Sequence, residues 1–191
     1  EREADRLGFE TLRKAGFDSR GMAGFFSRLH QATRAYDSNA PVYLRTHPLT
    51  LERLSDMQNR ERNLRYQQVP DSPDFHFVRA KLRANRGSAL EAVRDARTLL
   101  TEEKFPSSAA AHYGLAFALY RNRQWPEALR EIELAKKLAT SAMLERLHAD
   151  ICLRQGDAVN GLALLRDALA RYPGNPALKY AYGDALLRER Q

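Results

Sequence analysis

Two groups of residues near the start of the sequence have side chains and spacing suited to metal or oxyanion chemistry. In the first group, Glu1 and Asp5 are four residues apart in a helical pattern, so they share one face of a helix. A helix-borne glutamate can give zinc one oxygen ligand, and a carboxylate one turn later can orient a histidine ligand. The other interpretation of this pair is a solvated acidic face.

The second group is His47 followed by Arg53. His47 precedes Pro48, which favours extended backbone, and Thr50 can cap the helix that contains Arg53. A histidine held in a rigid loop can ligate a metal or donate to an oxyanion, and a nearby arginine can stabilise negative charge. The alternative is an ordinary loop histidine beside a capping threonine.

The helices that must position these residues follow from the periodicity of apolar residues. An amphipathic helix is expected over residues 1–15, and a second helix with a Phe-rich apolar face begins after Asp18. Loop or extended chain is expected over 37–44, before a third helix that begins at Thr50. Two prolines, an aspartate and a serine at 69–73 mark the best domain boundary.

A repeated pattern organises the rest of the chain. Ala116, Ala128 and Ala135 recur 33 residues later as Ala149, Gly161 and Ala168, with apolar residues among them. A period near 34 with small residues at fixed places is typical of helix-turn-helix repeats, because helices that cross closely leave room only for Ala or Gly. The predicted fold is therefore all-α, with helix pairs at 75–84 and 89–100, 107–120 and 125–138, and 142–153 and 158–170, and a last helix at 176–187.

The first of these helix pairs departs from the pattern. Arg79 and Arg83 occupy places that are usually apolar. We interpret it as an edge repeat that packs against the preceding domain, or as a pair whose register is slightly different.

The repeat array predicts a concave groove lined by the first helix of each pair. Tyrosine and arginine are frequent anchors in protein interfaces. The candidate protein-binding residues are Tyr113, Tyr120, Arg121, Asn122, Arg146 and Tyr180. The alternative is that they are ordinary surface residues. His76, His112 and His148 fall near corresponding repeat places, but no carboxylate at ligand spacing accompanies them, which favours solvated or packing histidines over a metal site.

Composition narrows the remaining classes of function. The net charge is +7, from 31 Lys and Arg against 24 Asp and Glu, and the arginines are scattered along helices in a way that favours a solvated surface. Binding to nucleic acid ranks last, because there is no aromatic interleaving and no binding motif. Cys152 is the single cysteine and is expected to be buried and inert. No apolar run is long enough to predict a membrane span.

The ordered motifs carry a resemblance to a known family. Glu1-x-x-Ala4-Asp5 comes first, then a Phe-rich helix, and then Thr46-His47-Pro48 followed by Arg53. This order resembles the C-terminal part of the catalytic domain of BepA-like zinc metallopeptidases, a family with a C-terminal tetratricopeptide-repeat domain. The resemblance assigns residues 1–68 to a remnant of the catalytic domain and residues 71–191 to about three and a half repeats.

The resemblance also implies roles for individual residues. Glu1 would be the third zinc ligand, with Asp5 beside it to orient another ligand. His47 and Arg53 would line the active site as catalytic residues, and His47 could cap the metal reversibly or contact the oxyanion. The other two zinc ligands of the family come from an H-E-x-x-H helix, which this sequence lacks. The 191 residues alone are therefore expected to be inactive and to hold no zinc stably, although the intact protein would hold it.

The function implied by the resemblance is that of a C-terminal fragment of a periplasmic zinc metalloendopeptidase for envelope protein quality control. Its repeats would bind protein or peptide substrates or the envelope assembly machinery. A chain that starts within a charged helical pattern and shows no signal peptide agrees with a fragment of a longer protein. The alternative is a non-enzymatic repeat scaffold that mediates protein–protein interaction. An H-E-x-x-H upstream of Glu1 would separate the two.

Overall fold

The computed structural model describes residues 1–33, 50–62, 64–65 and 69–189, and these residues are helical without strands. The helices are α1 (Arg2–Lys14), α2 (Arg20–Thr33), α3 (Thr50–Glu61), α4 (Pro73–Ala84), α5 (Ala89–Thr101), α6 (Ser108–Arg121), α7 (Trp125–Leu138), α8 (Ala142–Arg154), α9 (Ala158–Arg171) and α10 (Pro176–Arg188). The all-α prediction is confirmed. The loop or extended chain expected at 37–44, and His47 after it, lie outside the described residues.

The chain forms two compact units, Glu1–Pro70 and Asp71–Gln191. The division falls within the stretch at 69–73 where two prolines and an aspartate predicted a boundary. None of the helices in the described ranges is long and apolar enough to cross a membrane.

The first unit packs α1, α2 and α3 around a small core. Phe9, Phe26 and Met57 are buried, one from each helix. Gly16 follows α1 at φ +82°, a left-handed conformation that ends a helix at little cost for glycine. Asp18 then accepts a hydrogen bond from the backbone N–H of Arg20 at 3.0 Å, which agrees with its expected role at the start of α2.

The second unit stacks its helices in sequential pairs. Six of its seven helices begin at a residue whose side chain accepts a hydrogen bond from the helix N-terminus: Ser72, Ser88, Ser107, Ser141, Asp157 and Asn175. Such caps satisfy backbone N–H groups that have no partner within the helix. The polar residues between helices therefore set where each helix begins.

Close helix crossings explain the repeated small residues of the second unit. Ala116, Ala128 and Ala135 are completely buried, as are Ala149 and Ala168. At Gly161 of α9, an added Cβ would lie only 2.6 Å from Leu153 Cγ and 3.3 Å from the Leu153 backbone nitrogen on α8. The two helices are thus too close at this point for any larger residue.

A buried ion-pair network links α7, α8 and α9. Glu145 of α8 is 3% exposed, and its carboxylate lies 2.7 Å from Lys136 Nζ on α7 and 2.9 Å from Arg171 Nη1 on α9. Burial would disfavour the charged carboxylate, but the hydrogen bonds from Lys136 and Arg171 outweigh it and lower the pKa of Glu145. His148 Nδ1 lies 3.0 Å from Lys136 Nζ, so this histidine packs within the network.

Two glycine substitutions test the crossing geometry. Gly161→Ala is expected to lower the free energy of unfolding by about 1–3 kcal/mol, because Leu153 must move to admit the methyl group. Gly183→Ala on α10 is the matched control: among the described residues, nothing outside the adjacent backbone of α10 lies within 4 Å of its added Cβ, and it should stabilise the helix by about 0.5–1 kcal/mol. Urea unfolding followed by fluorescence of Trp125, the single tryptophan, measures both. Equal effects at the two glycines would contradict the close crossing.

Candidate functional site

Asp5 and Arg53, which are 48 residues apart in sequence, form a two-pronged ion pair between α1 and α3. Arg53 Nε donates to Asp5 Oδ2 and Arg53 Nη2 donates to Asp5 Oδ1, both at 2.7 Å. This parallel arrangement is the strongest geometry of an arginine and a carboxylate. Two of the predicted site residues are therefore brought together by the fold.

The ion pair lies at the edge of the first unit's core. Asp5 is 7% exposed and lies on the same face of α1 as the buried Phe9. A carboxylate at this depth is tolerated only with a charged partner and satisfied hydrogen bonds. The hydrogen bonds to Asp5 raise the pKa of Arg53 above its ordinary value, so the guanidinium stays charged.

Glu1 joins the same arginine from the start of α1. Its Oε2 lies 3.4 Å from Arg53 Nη1, and one third of its side chain is exposed. Arg53 thus contacts both acidic residues that the helical spacing singled out. Unlike Asp5, Glu1 has substantial contact with solvent. We call Glu1, Asp5 and Arg53 the carboxylate–arginine cluster.

Phe26 of α2 completes the surroundings of the arginine. The guanidinium carbon of Arg53 lies 4.4 Å from the centre of the Phe26 ring, within the range of a cation–π interaction. The Phe-rich face of α2 was visible in the sequence, but its contact with Arg53 was not, because no spacing rule relates residues on two separate helices. All three helices of the unit therefore hold this side chain.

The cluster can provide one metal ligand but not a complete metal site. Within the described ranges, no group of three or more His, Cys, Asp or Glu side chains could hold a metal ion. Both oxygens of Asp5 accept hydrogen bonds from Arg53, whereas the partly exposed carboxylate of Glu1 suits a single oxygen ligand. His47, the other predicted active-site residue, lies outside the described residues.

Three of the predicted groove residues have structural roles in the second unit. Tyr113 is 2% exposed and packs edge-on against Phe77 at 5.5 Å, so it belongs to the core rather than to the predicted groove. Burial, which disfavours the phenolate, raises the pKa of Tyr113. Arg121 donates to the backbone oxygens of Ala84 and Gly87 at the end of α4. Asn122 donates to Gln124 at 2.7 Å in the turn before α7.

Of the other three predicted groove residues, two are partly buried and one is exposed. Arg146 donates to Asp150 and to the backbone oxygen of Ala177 at 2.8 Å, which ties α8 to α10. Tyr120 is partly buried and accepts a hydrogen bond from Arg154 at 3.4 Å. Tyr180 is 73% exposed. Among the six, Tyr180 has the most accessible side chain and the fewest ties to the fold.

Comparison with known proteins assigns a class to the first unit. Residues 1–61, which contain the carboxylate–arginine cluster, match the model of peptidase family M48. The first unit therefore carries a segment of a peptidase of this family. The resemblance to zinc metallopeptidases inferred from the ordered motifs is confirmed.

Individual relatives extend this similarity to the second unit. The whole chain is 30% identical to the beta-barrel assembly-enhancing protease of Yersinia pestis and 31% identical to that of Escherichia coli (strain K12). It is also 43% identical, over 82 residues, to a putative beta-barrel assembly-enhancing protease of Vibrio cholerae, with 43% of this chain and 17% of that relative covered. The chain spans 40% and 39% of the length of the first two relatives.

A double-mutant cycle tests the energetic role of the buried ion pair. Arg53→Gln leaves the Asp5 carboxylate buried without a cation and is expected to destabilise the first unit by about 2–3 kcal/mol, less than for a fully enclosed pair. Asp5→Asn should cost a similar amount, and the double variant should cost clearly less than the two single effects combined. Urea unfolding followed by far-UV circular dichroism measures each variant.

Arg6→Gln is the control for this cycle. Arg6 lies on the same helix as Asp5 but pairs with Glu3 and Glu10 on the exposed surface, where ion pairs contribute little. Additive effects of Arg53→Gln and Asp5→Asn, or an effect of Arg6→Gln as large as that of Arg53→Gln, would contradict a special role for the pair.

Proposed function

We propose that the chain is the C-terminal segment of a periplasmic zinc metalloendopeptidase that acts in quality control of envelope proteins. The observation that carries this proposal is the convergence of Glu1, Asp5 and Arg53 within the segment that matches peptidase family M48. The periplasmic setting and the envelope substrates are supported by the similarity to beta-barrel assembly-enhancing proteases.

In this proposal the solvent exposure of each residue in the carboxylate–arginine cluster indicates its role. Glu1 would serve as one zinc ligand, because its carboxylate is partly exposed at the start of α1. Asp5 would act indirectly: it holds Arg53 by two hydrogen bonds, and Arg53 in turn orients Glu1. Zinc, when bound, supplies a Lewis acid that polarises the peptide carbonyl. The remaining ligands would come from residues other than those described.

The second unit would bind protein substrates or assembly partners. Its helix pairs form a stack of the kind that presents extended surfaces to other proteins. Tyr180 supports this role, since a large aromatic side chain with 73% exposure is the type of residue that anchors interfaces.

Replacing Glu1 in the full-length protein tests the zinc-ligand role. Substitution of a residue that supports a metal ligand typically lowers metal affinity by roughly 10–100-fold. Glu1→Gln alters the ligand itself, so it is expected to lower zinc affinity by more than this and to lower the rate of casein cleavage as well. Zinc content after dialysis and the rate of casein cleavage are measured. Glu3→Gln is the matched control, because Glu3 is on the same helix and pairs with Arg6 on the surface. Wild-type zinc content in Glu1→Gln would refute the role.

A second substitution tests His47, whose proposed role rests on the family resemblance. In the full-length protein, His47→Ala should raise the rate of peptide cleavage if His47 caps the metal, and should lower kcat if it contacts the oxyanion. The control is His112→Ala, since His112 pairs with Glu131 in the second unit at 2.8 Å. Unchanged kinetics and zinc affinity in His47→Ala would exclude both roles.

A further inference from the structure

An open cavity of about 790 Å³ lies between α4 and α5, the first helix pair of the second unit. Both helices pack on α6, and the cavity extends between them over the start of α6. It is lined by both helices of the first pair and by α6, the first helix of the second pair.

The cavity follows from three residue choices in the first pair. In the second pair, Leu115, Leu119 and Ile132 fill the space between α6 and α7 and are at most 5% exposed. The residues 36 positions earlier are Arg79, Arg83 and Ala96. Both arginines are exposed and extend toward solvent, and Ala96 has only a methyl group, so the space between the helices stays unfilled.

The floor of the cavity is apolar and made of small residues. It is lined by Ala80, Ala84, Ala92, Ala96, Ala110 and Gly114. Gly114 and Ala80 lie at the crossing of α4 and α6, where an added Cβ on Gly114 would be 3.3 Å from the Ala80 Cβ. A floor of this kind has room for an inserted apolar side chain, since the larger apolar residues Leu99 and Phe105 line the cavity without filling it.

The rim of the cavity carries an excess of positive charge. Arg79, Arg83, Arg86 and Arg94 line it, together with Glu91 and Asp95, so four cations face two carboxylates. The Glu91 carboxylate accepts hydrogen bonds from the backbone and hydroxyl of Ser88 in the cap of α5. Within the described part of the chain, the side chains of Arg79, Arg83 and Arg86 form no ion pair. These three guanidinium groups are therefore available to an anionic partner.

We propose that this cavity binds an acidic polypeptide segment, which inserts an apolar side chain over the alanine floor and places its carboxylates against Arg79, Arg83 and Arg86. Charge complementarity selects the acidic segment, and the unfilled apolar floor selects a peptide over a bare anion. The inference deepens the proposed function and rests on it, because it specifies the chemistry of the proteins that the second unit would recruit.

Two variants of the 191-residue chain test separately how the floor and the rim of the cavity contribute to binding. Ala96→Ile introduces the residue that the second pair carries at this place and narrows the apolar floor of the cavity. Arg79→Glu combined with Arg83→Glu reverses charge at two exposed positions, where a loss of folding is not expected. Arg130→Glu, on the exposed surface of α7 and outside the cavity, is the control for reversal of a surface charge away from the cavity.

The experiment measures fluorescence anisotropy of three fluorescein-labelled peptides at low ionic strength. The first contains one Phe among Asp and Glu residues, the second has Ala in place of Phe, and the third has Lys in place of the acids. The first peptide should bind, and the second should bind about tenfold more weakly through loss of buried apolar area. Ala96→Ile and the double arginine variant should each weaken binding of the first peptide by about tenfold or more, and Arg130→Glu by less than about twofold.

Several results would overturn the proposal. These are no binding of the first peptide, equal binding of the Lys peptide, full binding by Ala96→Ile, or an equal loss in Arg130→Glu and the double variant. Tighter binding of a labelled oligouridylate than of the acidic peptide would also refute it, in favour of a nucleic-acid surface. None of these readouts involves zinc or proteolysis, so failure here is distinct from failure of the Glu1→Gln experiment.

Discussion

The geometry of the first unit depends on the buried ion pair between Asp5 and Arg53. The apolar core that holds its three helices together is small, with Phe9, Phe26 and Met57 as its largest buried side chains. A carboxylate beside such a core is stable only while a cation satisfies both of its oxygens. The pair therefore restricts how α1 can lie against α3, and it is this restriction that places Glu1 beside the same arginine.

The arrangement also distinguishes two acidic residues that look equivalent in the sequence. Asp5 is almost enclosed and committed to Arg53, whereas Glu1 is partly exposed at the end of the helix. Only an exposed carboxylate can turn toward a metal ion without leaving a charge buried and unpaired. The proposed division into a zinc ligand and a positioning group rests on this difference in burial.

In the second unit one packing rule explains both the regular helix pairs and the first pair, α4 and α5, which departs from them. Where large apolar residues such as Leu119 and Ile132 meet small ones, the paired helices close on each other and no space remains. The first pair has arginines and an alanine at the corresponding places, so its helices remain apart although both pack on α6. The weakness of this repeat in the sequence is the origin of the cavity with its cationic rim.

The sequence by itself predicted the helices and the small residues at the crossings, because periodicity and capping are local properties, and it singled out Glu1 with Asp5 and His47 with Arg53 as two separate groups. It placed Tyr113 on a groove, and only the tertiary structure decided that the ring of Tyr113 lies against Phe77 in the core. The contact of Phe26 with Arg53, the two hydrogen bonds that join Asp5 to Arg53 and the cavity beside Ala96 were likewise decided by packing. The physical reason is that each depends on the rotation and separation of helices distant in sequence, which no local pattern specifies.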